Sequence, residues 1–566
     1  MKHHTSLSIR LISLVILVGS LLANPNGAGT AAADGRMDYH DTAELEAALQ
    51  DLADGSPHAQ LFSIGYSLDF KTDPGSPAMY PIYAIRISAS TDEKVENDRL
   101  KNGILFEGGM HPREWLTTES LLSLADYLVR NAEEEHSGVP ELLAGADVWI
   151  IPLSNPSGRV IDDTHGGDPR YFSTHPESAG WRGNGDIQGG CDYGVNVARN
   201  FSAGWRRVNS QNCTDDRDGT GDDPPDGKNS DPVENYRGFA PFSTIEATSL
   251  RNFVENHSIS MAVVVHANAQ QIWNLWGTGD VAGASIVKWA TFGWNFNLDD
   301  ARLVLTKTPV GGGMGQFSGW LSSRSDTPYQ PDTGTMRSIQ TIFIELPFLS
   351  KYYGGDYRAP DDDGSRDSSN GFHPSGAHVR DLITFDFLPM ATALIMAAVS
   401  PGCPELGSCP TRDFGLVGAT IGSSSTTGVG ALTTNPAGCL GNLENGLCTG
   451  QVVPARDYLS LGKKYVYFRA QNFSSQAGYD DLDVRMTVIK TVSRPDGSMS
   501  SISRSTQSFR NLSKRAAVSG FFELNIDQAG ADYEVTLEVR PRGGFTTGAR
   551  DGFSLNNKKV FKFRAE

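Results

Sequence analysis

Four short apolar runs constrain this chain most: Gly103–Glu107 (GILFE), Asp147–Leu153 (DVWIIPL), Met261–His266 (MAVVVH) and Thr341–Leu346 (TIFIEL). They are too short for helices and too apolar for strands with one face in water, so they read as strands buried in a sheet. Pro81–Ser88 (PIYAIRIS) alternates as a further strand. Between these runs lie segments of helical periodicity, Thr42–Leu52, Thr117–Asn131 and Ser243–Asn256. Ser243, with Glu246 three residues later, reads as a capping box opening the last of them. Strands alternating with helices predict an α/β unit over residues 37–400, a mixed central β-sheet flanked by helices.

After Pro401 the composition shifts to Pro, Gly, Ser and Thr as far as about Gly450. Residues 401–455 therefore read as a connecting region. Short strand-like runs follow at Lys464–Ala470, Asp483–Thr491, Gly520–Ile526, Asp532–Arg540 and Lys559–Arg564. Their spacing predicts an all-β sandwich over 456–566. A chain of 566 residues has room for both cores.

The N-terminus reads as an export signal over residues 1–33. Lys2 and Arg10 precede the apolar run Leu11–Ala23, and Ala31-Ala32-Ala33 offers a cleavage pattern. A secreted or periplasmic protein is expected, with no transmembrane segment once mature. A net charge of −18 argues against nucleic acid or anionic membrane as partner, and the chain reads as a monomer. The six cysteines suit disulfides in an oxidising compartment. Fifteen pairings are open, and proximity favours Cys191–Cys213, Cys403–Cys409 and Cys439–Cys448.

The chemistry centres on Phe106–Trp115 (FEGGMHPREW), where His111 and Glu114 stand three apart between a strand and a helix. Imidazole nitrogen and carboxylate oxygen are zinc ligands, and catalytic zinc keeps one position open. H-x-x-E alone is weak. Twelve histidines give about 0.7 chance matches at ordinary glutamate frequency.

The surroundings carry more weight. HPREW followed by a helix resembles the zinc motif of metallocarboxypeptidases of the carboxypeptidase A type. Asn155–Gly158 resembles that family's N-P-D-G turn, Trp181-Arg182 its W-R pair, and Cys191–Phe201 its C-x-G-V-D-x-N-R-N-W segment. Tyr236-Arg237-Gly238 with Pro241-Phe242-Ser243 and Glu246 resembles its Y-R-G…F-S-E-x-E stretch. His266 ends a strand as a third ligand should, and Phe343–Leu346 resembles the strand bearing a catalytic glutamate.

The resemblance implies the zinc carboxypeptidase fold and one zinc on His111, Glu114 and His266. It implies Glu345 as general base and Arg182 as oxyanion stabiliser. Arg199 would bind the terminal carboxylate of peptide or protein C-termini, and Arg113 resembles a further substrate-binding arginine. The position that sets side-chain preference falls near Ser318, neither acidic nor bulky. Three departures stand out. Asn196 replaces an aspartate that orients the first zinc histidine, and Ala198 replaces an asparagine of the carboxylate pocket. No tyrosine occupies the expected place in Thr308–Trp320; Tyr329 lies nearby.

The acidic stretch Asp215–Asp231, with Asp216, Asp218 and Asp222, offers oxygen ligands for calcium but lacks the terminal glutamate of an EF-hand, which favours a solvated insertion. Two other functions use the same residues: a zinc amidase or endopeptidase acting on cell-wall peptides, and a binding protein with a degenerate site.

Overall fold

The computed structural model describes residues 39–70, 76–90, 101–165, 181–186, 194–203, 205, 236–267, 271–274, 302–304, 316–322, 339–346, 379–380, 382–399, 414–425, 430–444, 447–472, 479–495, 497–513, 516–541 and 558–566. Residues 1–33, read as an export signal, the acidic stretch Asp215–Asp231, Tyr329 and four of the six cysteines lie outside the described residues.

The first unit runs α1 (Thr42–Asp54), β1 (Ala59–Asp69), β2 (Ala78–Ile87), β3 (Asn102–Glu107), α2 (Trp115–Arg130), α3 (Val139–Gly145), β4 (Ala146–Ile151) and α4 (Pro156–His165). It continues with α5 (Ile245–Asn256), β5 (Ile259–Ala267), β6 (Gln271–Asn274), β7 (Arg302–Val304), α6 (Phe317–Leu321), β8 (Gln340–Leu346) and α7 (Leu388–Val399). The strands form one sheet in the order β1-β2-β4-β3-β5-β8-β6-β7. β4, β3, β5 and β8 are parallel, while antiparallel strands flank them on both sides.

Burial on both faces explains the apolar runs. Along β3, Ile104 and Phe106 pack with the helices α1, α2, α3 and α7. Leu105 points the other way, into the core shared with α5 and with Phe201, Phe242 and Trp320. Val263 and Val265 against Ala262 and Val264 repeat this on β5. Each fully buried aliphatic side chain contributes about 1.5–3 kcal/mol, so the slab is a rigid base for whatever its strand ends carry. The chain leaves β3 for β4 on one side and returns to β5 on the other, making the carboxyl ends of β3 and β5 a topological switch point.

The opening of α5 differs from expectation. Its N-cap is Thr244, whose hydroxyl accepts from the Ala247 amide, and no Ser243–Glu246 capping box forms. Glu246 turns inward instead and is fully buried. β1, which the sequence reading passed over, pairs antiparallel with β2 and bulges between Ser63 and Gly65.

The C-terminal strands build two larger sheets and two small two-stranded ones. One larger sheet has the order β10-β15-β21-β20-β17-β18 and the other β19-β16-β9. Here β9 is Phe414–Gly422, β10 Thr433–Asn435, β11 Gly438–Leu440, β12 Leu443–Glu444, β13 Leu447–Cys448, β14 Gln451–Val453, β15 Arg456–Leu459, β16 Gly462–Asn472 and β17 Tyr479–Arg494. β18 is Gly497–Ser513, β19 Ala517–Ile526, β20 Asp532–Pro541 and β21 Lys558–Ala565. Their facing residues close a separate apolar core. The sheets begin before residue 456, because β9 sends Phe414, Leu416, Ala419 and Ile421 into that core. Cys439 and Cys448 are bonded as expected.

The β-unit docks at the end of the main sheet opposite the switch point. Asn102, the first residue of β3, accepts from Arg469 Nε (3.2 Å), and Gly418 lies against Ser258 just before β5. Asn256 at the end of α5 exchanges bonds with the Leu432 backbone at 2.7 and 2.8 Å. Arg251 of α5 pairs with Asp457 of β15 at 3.0 Å, both buried.

Candidate metal centre

β3 runs into Gly108-Gly109 and then the loop bearing His111. Gly109 has φ +64°, and a Cβ there would meet the Leu153 backbone at 2.9 Å, so only glycine lets the loop turn back over β4. The Gly109 amide donates to the Thr117 hydroxyl (3.0 Å), which donates to the Glu114 carbonyl (2.7 Å), tying the loop to the first turn of α2. Glu114 sits at the N-cap without capping the helix. Its carboxylate is thus left near the positive end of α2, free to reach the histidines.

The three side chains converge. Glu114 Oε1 lies 2.8 Å from His111 Nδ1, and Glu114 Oε2 lies 2.9 Å from His266 Nδ1. The imidazole centroids are 4.7 Å apart, and all three residues are buried. Each offers a ligand atom within 4.8 Å of the other two, the one such cluster of three among the described residues. On its far side His111 Nε2 faces Asn196 Oδ1 at 3.2 Å. That contact places the imidazole proton on Nε2 and leaves Nδ1 as the lone-pair nitrogen facing the cluster. Two imidazole nitrogens and one carboxylate, all buried, fit the donor set of a catalytic zinc.

Electrostatics agree with a site built for a cation. Burial alone would raise Glu114, but the two imidazoles hold its carboxyl well below the usual range. Burial and then Arg182 push His111 down to about 3. Burial opposes charge on His266 too, yet Glu114, Glu345 and Glu107 lift it to about 9. Glu107, the last residue of β3, is itself pushed up to about 7 by burial, against the Ser154 hydroxyl that donates to it at 2.6 Å. The sequence reading did not single it out.

Glu345 stands beside His266. The two are register partners on the parallel strands β8 and β5, so their side chains leave the sheet on the same face at its carboxyl edge. Phe343 stacks on the His266 ring at 4.9 Å. Arg182 follows Trp181, whose carbonyl accepts from the Arg113 amide at 3.1 Å, bringing both arginines to the same loop crossing. Arg113 is buried; Arg182 and Arg199 are half-buried. Arg199 lies in a single turn, Val197–Arg199, directly after Asn196. Ala198 is buried in that turn. Ser318 is buried in α6, away from any charge in its own turn.

The chain was compared with known proteins. The family model of zinc carboxypeptidases matches residues 45–331, just over half of the chain. A metallocarboxypeptidase A-like protein from Trichophyton verrucosum is 26% identical over 183 residues, covering 31% of this chain and 35% of the relative. Zinc carboxypeptidase A 1 of Drosophila melanogaster is 26% identical over 180 residues, covering 31% of this chain and 34% of the relative. The alignments thus span about a third of the length of these relatives. The crystal structure of carboxypeptidase A from Helicoverpa armigera superposes with a TM-score of 0.42 at 19% identity, covering 69% of this chain and 81% of that one. On the family match the chain belongs to the zinc carboxypeptidases, peptidase family M14.

Proposed function

We propose that this protein is an exported carboxypeptidase that removes residues from peptide C-termini with one zinc ion. The observation that carries the proposal is the convergence of His111 Nδ1, Glu114 and His266 Nδ1 with Glu345 in register beside His266. His111, Glu114 and His266 would hold a zinc ion, which would supply acidification of a bound water and polarisation of the scissile carbonyl.

The chain's own residues supply the rest. Glu345 takes the proton of the attacking water and hands it to the leaving amine. Arg182, near enough to depress His111, offsets charge developing on the carbonyl oxygen. Arg199 pairs with the free carboxylate that marks a chain end, which a planar guanidinium grips through two oxygens, and Arg113 serves as a further substrate-binding arginine. Ser318 brings no charge to the side-chain pocket, so no sharp preference for basic or aromatic residues follows. Asn196 orients His111 without a charge.

Export rests on the basic and apolar N-terminus and fits the Cys439–Cys448 bond. No helix among the described residues is long and apolar enough to cross a membrane. The contacts that fasten the β-unit to Asn102 and Asn256 involve no residue of the metal cluster, which supports a stabilising role over a gating one.

The test is a mixed peptide library read by mass spectrometry with wild-type, chelated and Glu345→Gln protein. Loss of single C-terminal residues in the first sample alone supports the proposal. Wild type that trims nothing, or chelated protein that trims equally well, sinks it.

A further inference from the structure

Glu246 lies 1% exposed between β1, α4 and the segment carrying Arg182, and no catalytic step above uses it. Its two carboxylate oxygens have different partners. The Ser67 hydroxyl donates to Oε1 at 2.6 Å, and the Asn184 side-chain amide donates to Oε2 at 3.0 Å. The Ser67 and Ser157 hydroxyls are 2.6 Å apart, and Ser157 Oγ accepts from the Gly185 amide at 3.0 Å. Having one proton, and that one given to Glu246, Ser67 receives its bond from Ser157. Every donor in the chain therefore points toward the carboxylate.

Asn184 is where this network meets the site. Its Oδ1 accepts from the Val195 amide at 2.9 Å, and its own amide donates to the Val195 carbonyl at 3.0 Å. Gly194, at φ +71°, permits that approach: a Cβ there would fall 2.0 Å from the Asn184 carbonyl oxygen. The residue two before Asn184 is Arg182. The residue after Val195 is Asn196, which holds His111 from behind. Asn184 thus clamps together the segment that carries the oxyanion arginine and the segment that orients the first metal ligand. Glu246 takes the remaining side-chain amide of Asn184 and so sets the orientation of its head group.

We infer that Glu246 is a positioning residue for this site, setting Arg182 and, through Asn196, the His111 imidazole by way of Asn184. The inference rests on the roles proposed above for Arg182 and the metal ligands. Burial lifts the Glu246 carboxyl to about 7 in spite of the bonds from Ser67 and Asn184. Keeping an ionisable group there costs stability, as sites held for function often do.

The experiment uses the full chain with Glu246→Ala, Glu246→Gln, Arg182→Ala and the double variant E246A/R182A. Steady-state kinetics on a C-terminal peptide well below the unfolding temperature are paired with zinc competition against a chelator. Outer residues that orient metal ligands typically contribute about 10–100-fold. Glu246→Ala should therefore lower kcat about tenfold or more with KM little changed, because Arg182 acts in the transition state. Zinc should leave it faster under chelator. Glu246→Gln can still accept from Asn184 and should recover most of both losses.

In the Arg182→Ala background the kcat effect of Glu246→Ala should largely vanish. Equal, additive losses in both backgrounds would overturn the inference, as would wild-type kcat and zinc retention in Glu246→Ala. If Glu246→Ala does not fold, Asn184→Ala carries the same cycle with the same outcomes. Wild type that fails to trim any peptide would instead defeat the functional reading, leaving the zinc competition to judge the Glu246 link to His111 alone.

Discussion

Arg251 is the residue whose loss should most damage the molecule away from the metal. Its guanidinium pairs with Asp457 at 3.0 Å, with side chains 5% and 8% exposed, and lies over the Phe242 ring at 4.6 Å. The Thr434 hydroxyl also donates to Asp457, at 2.7 Å. Arg251→Ala leaves a buried carboxylate with one neutral donor and opens a gap beside Phe242. Breaking such a pair costs about 3–5 kcal/mol, mostly because the surviving charge stays desolvated.

For a cooperative unit of roughly 150–250 residues that is a fall in Tm on the order of 10 °C. The assay is calorimetry of the full chain, with Arg251→Met/Asp457→Asn as the paired variant. Removing both charges while keeping an acceptor for Thr434 should recover more than half of the loss. The same contact predicts that cutting the chain at residue 401 leaves the first unit aggregating, since Arg251 and Asn256 lose the partners described above. A Tm change below about 2 °C for Arg251→Ala, or two transitions of which only one moves, would refute the reasoning.

Three other outcomes are expected. Glu345→Gln should lower kcat about 10²–10⁴-fold while zinc content by metal analysis stays at one per chain. Asn196→Asp should tighten zinc by about tenfold in chelator competition, because a carboxylate behind His111 Nε2 strengthens the contact that Asn196 now makes at 3.2 Å. Glu246, lifted by burial to about 7 from 4.5, binds its proton longer in the folded chain than in the unfolded one. Stability should therefore fall as pH rises from about 4.5 to 7, with the full penalty of roughly 3 kcal/mol present above that window, and Glu246→Gln should remove this share in pH-dependent denaturation curves.

The parts of the fold most legible in the sequence were those buried on both faces and those with clean alternation or helical periodicity. β3, β4, β5 and β8 appear as apolar runs because helices cover one side and α5 with its aromatic neighbours the other. β1 was illegible for the opposite reason. Its burial is patchy, and the bulge at Ser63–Gly65 breaks whatever alternation it has. β18 is exposed along nearly its whole length and offers no pattern at all. α4 hid behind Asn155-Pro156-Ser157-Gly158, read as a turn although Pro156 is simply the first residue of a helix. Among site residues, the metal ligands and Glu345 could be named because few residue types can do their chemistry.

Glu246 shows how a correct local rule conceals a functional residue. A serine three residues before a glutamate at the start of an apolar-periodic segment is what a capping box looks like, and that reading accounts for the glutamate without remainder. Thr244 takes the cap, and Glu246 is drawn to partners 179 and 62 positions away in sequence, which no local pattern could reveal. α5 consequently has two ends with different duties. Toward its C-terminus, Arg251 and Asn256 fasten it to the β-unit; at its N-terminus, Glu246 reaches Asn184, which ties the segment of Arg182 to the segment of Asn196. With about 1.5 Å of rise per residue, those ends stand roughly 15 Å apart. The β-unit also reaches the start of α5, where the Ala437 amide donates to the Phe242 carbonyl at 3.0 Å, so its attachment supports the helix over its whole length.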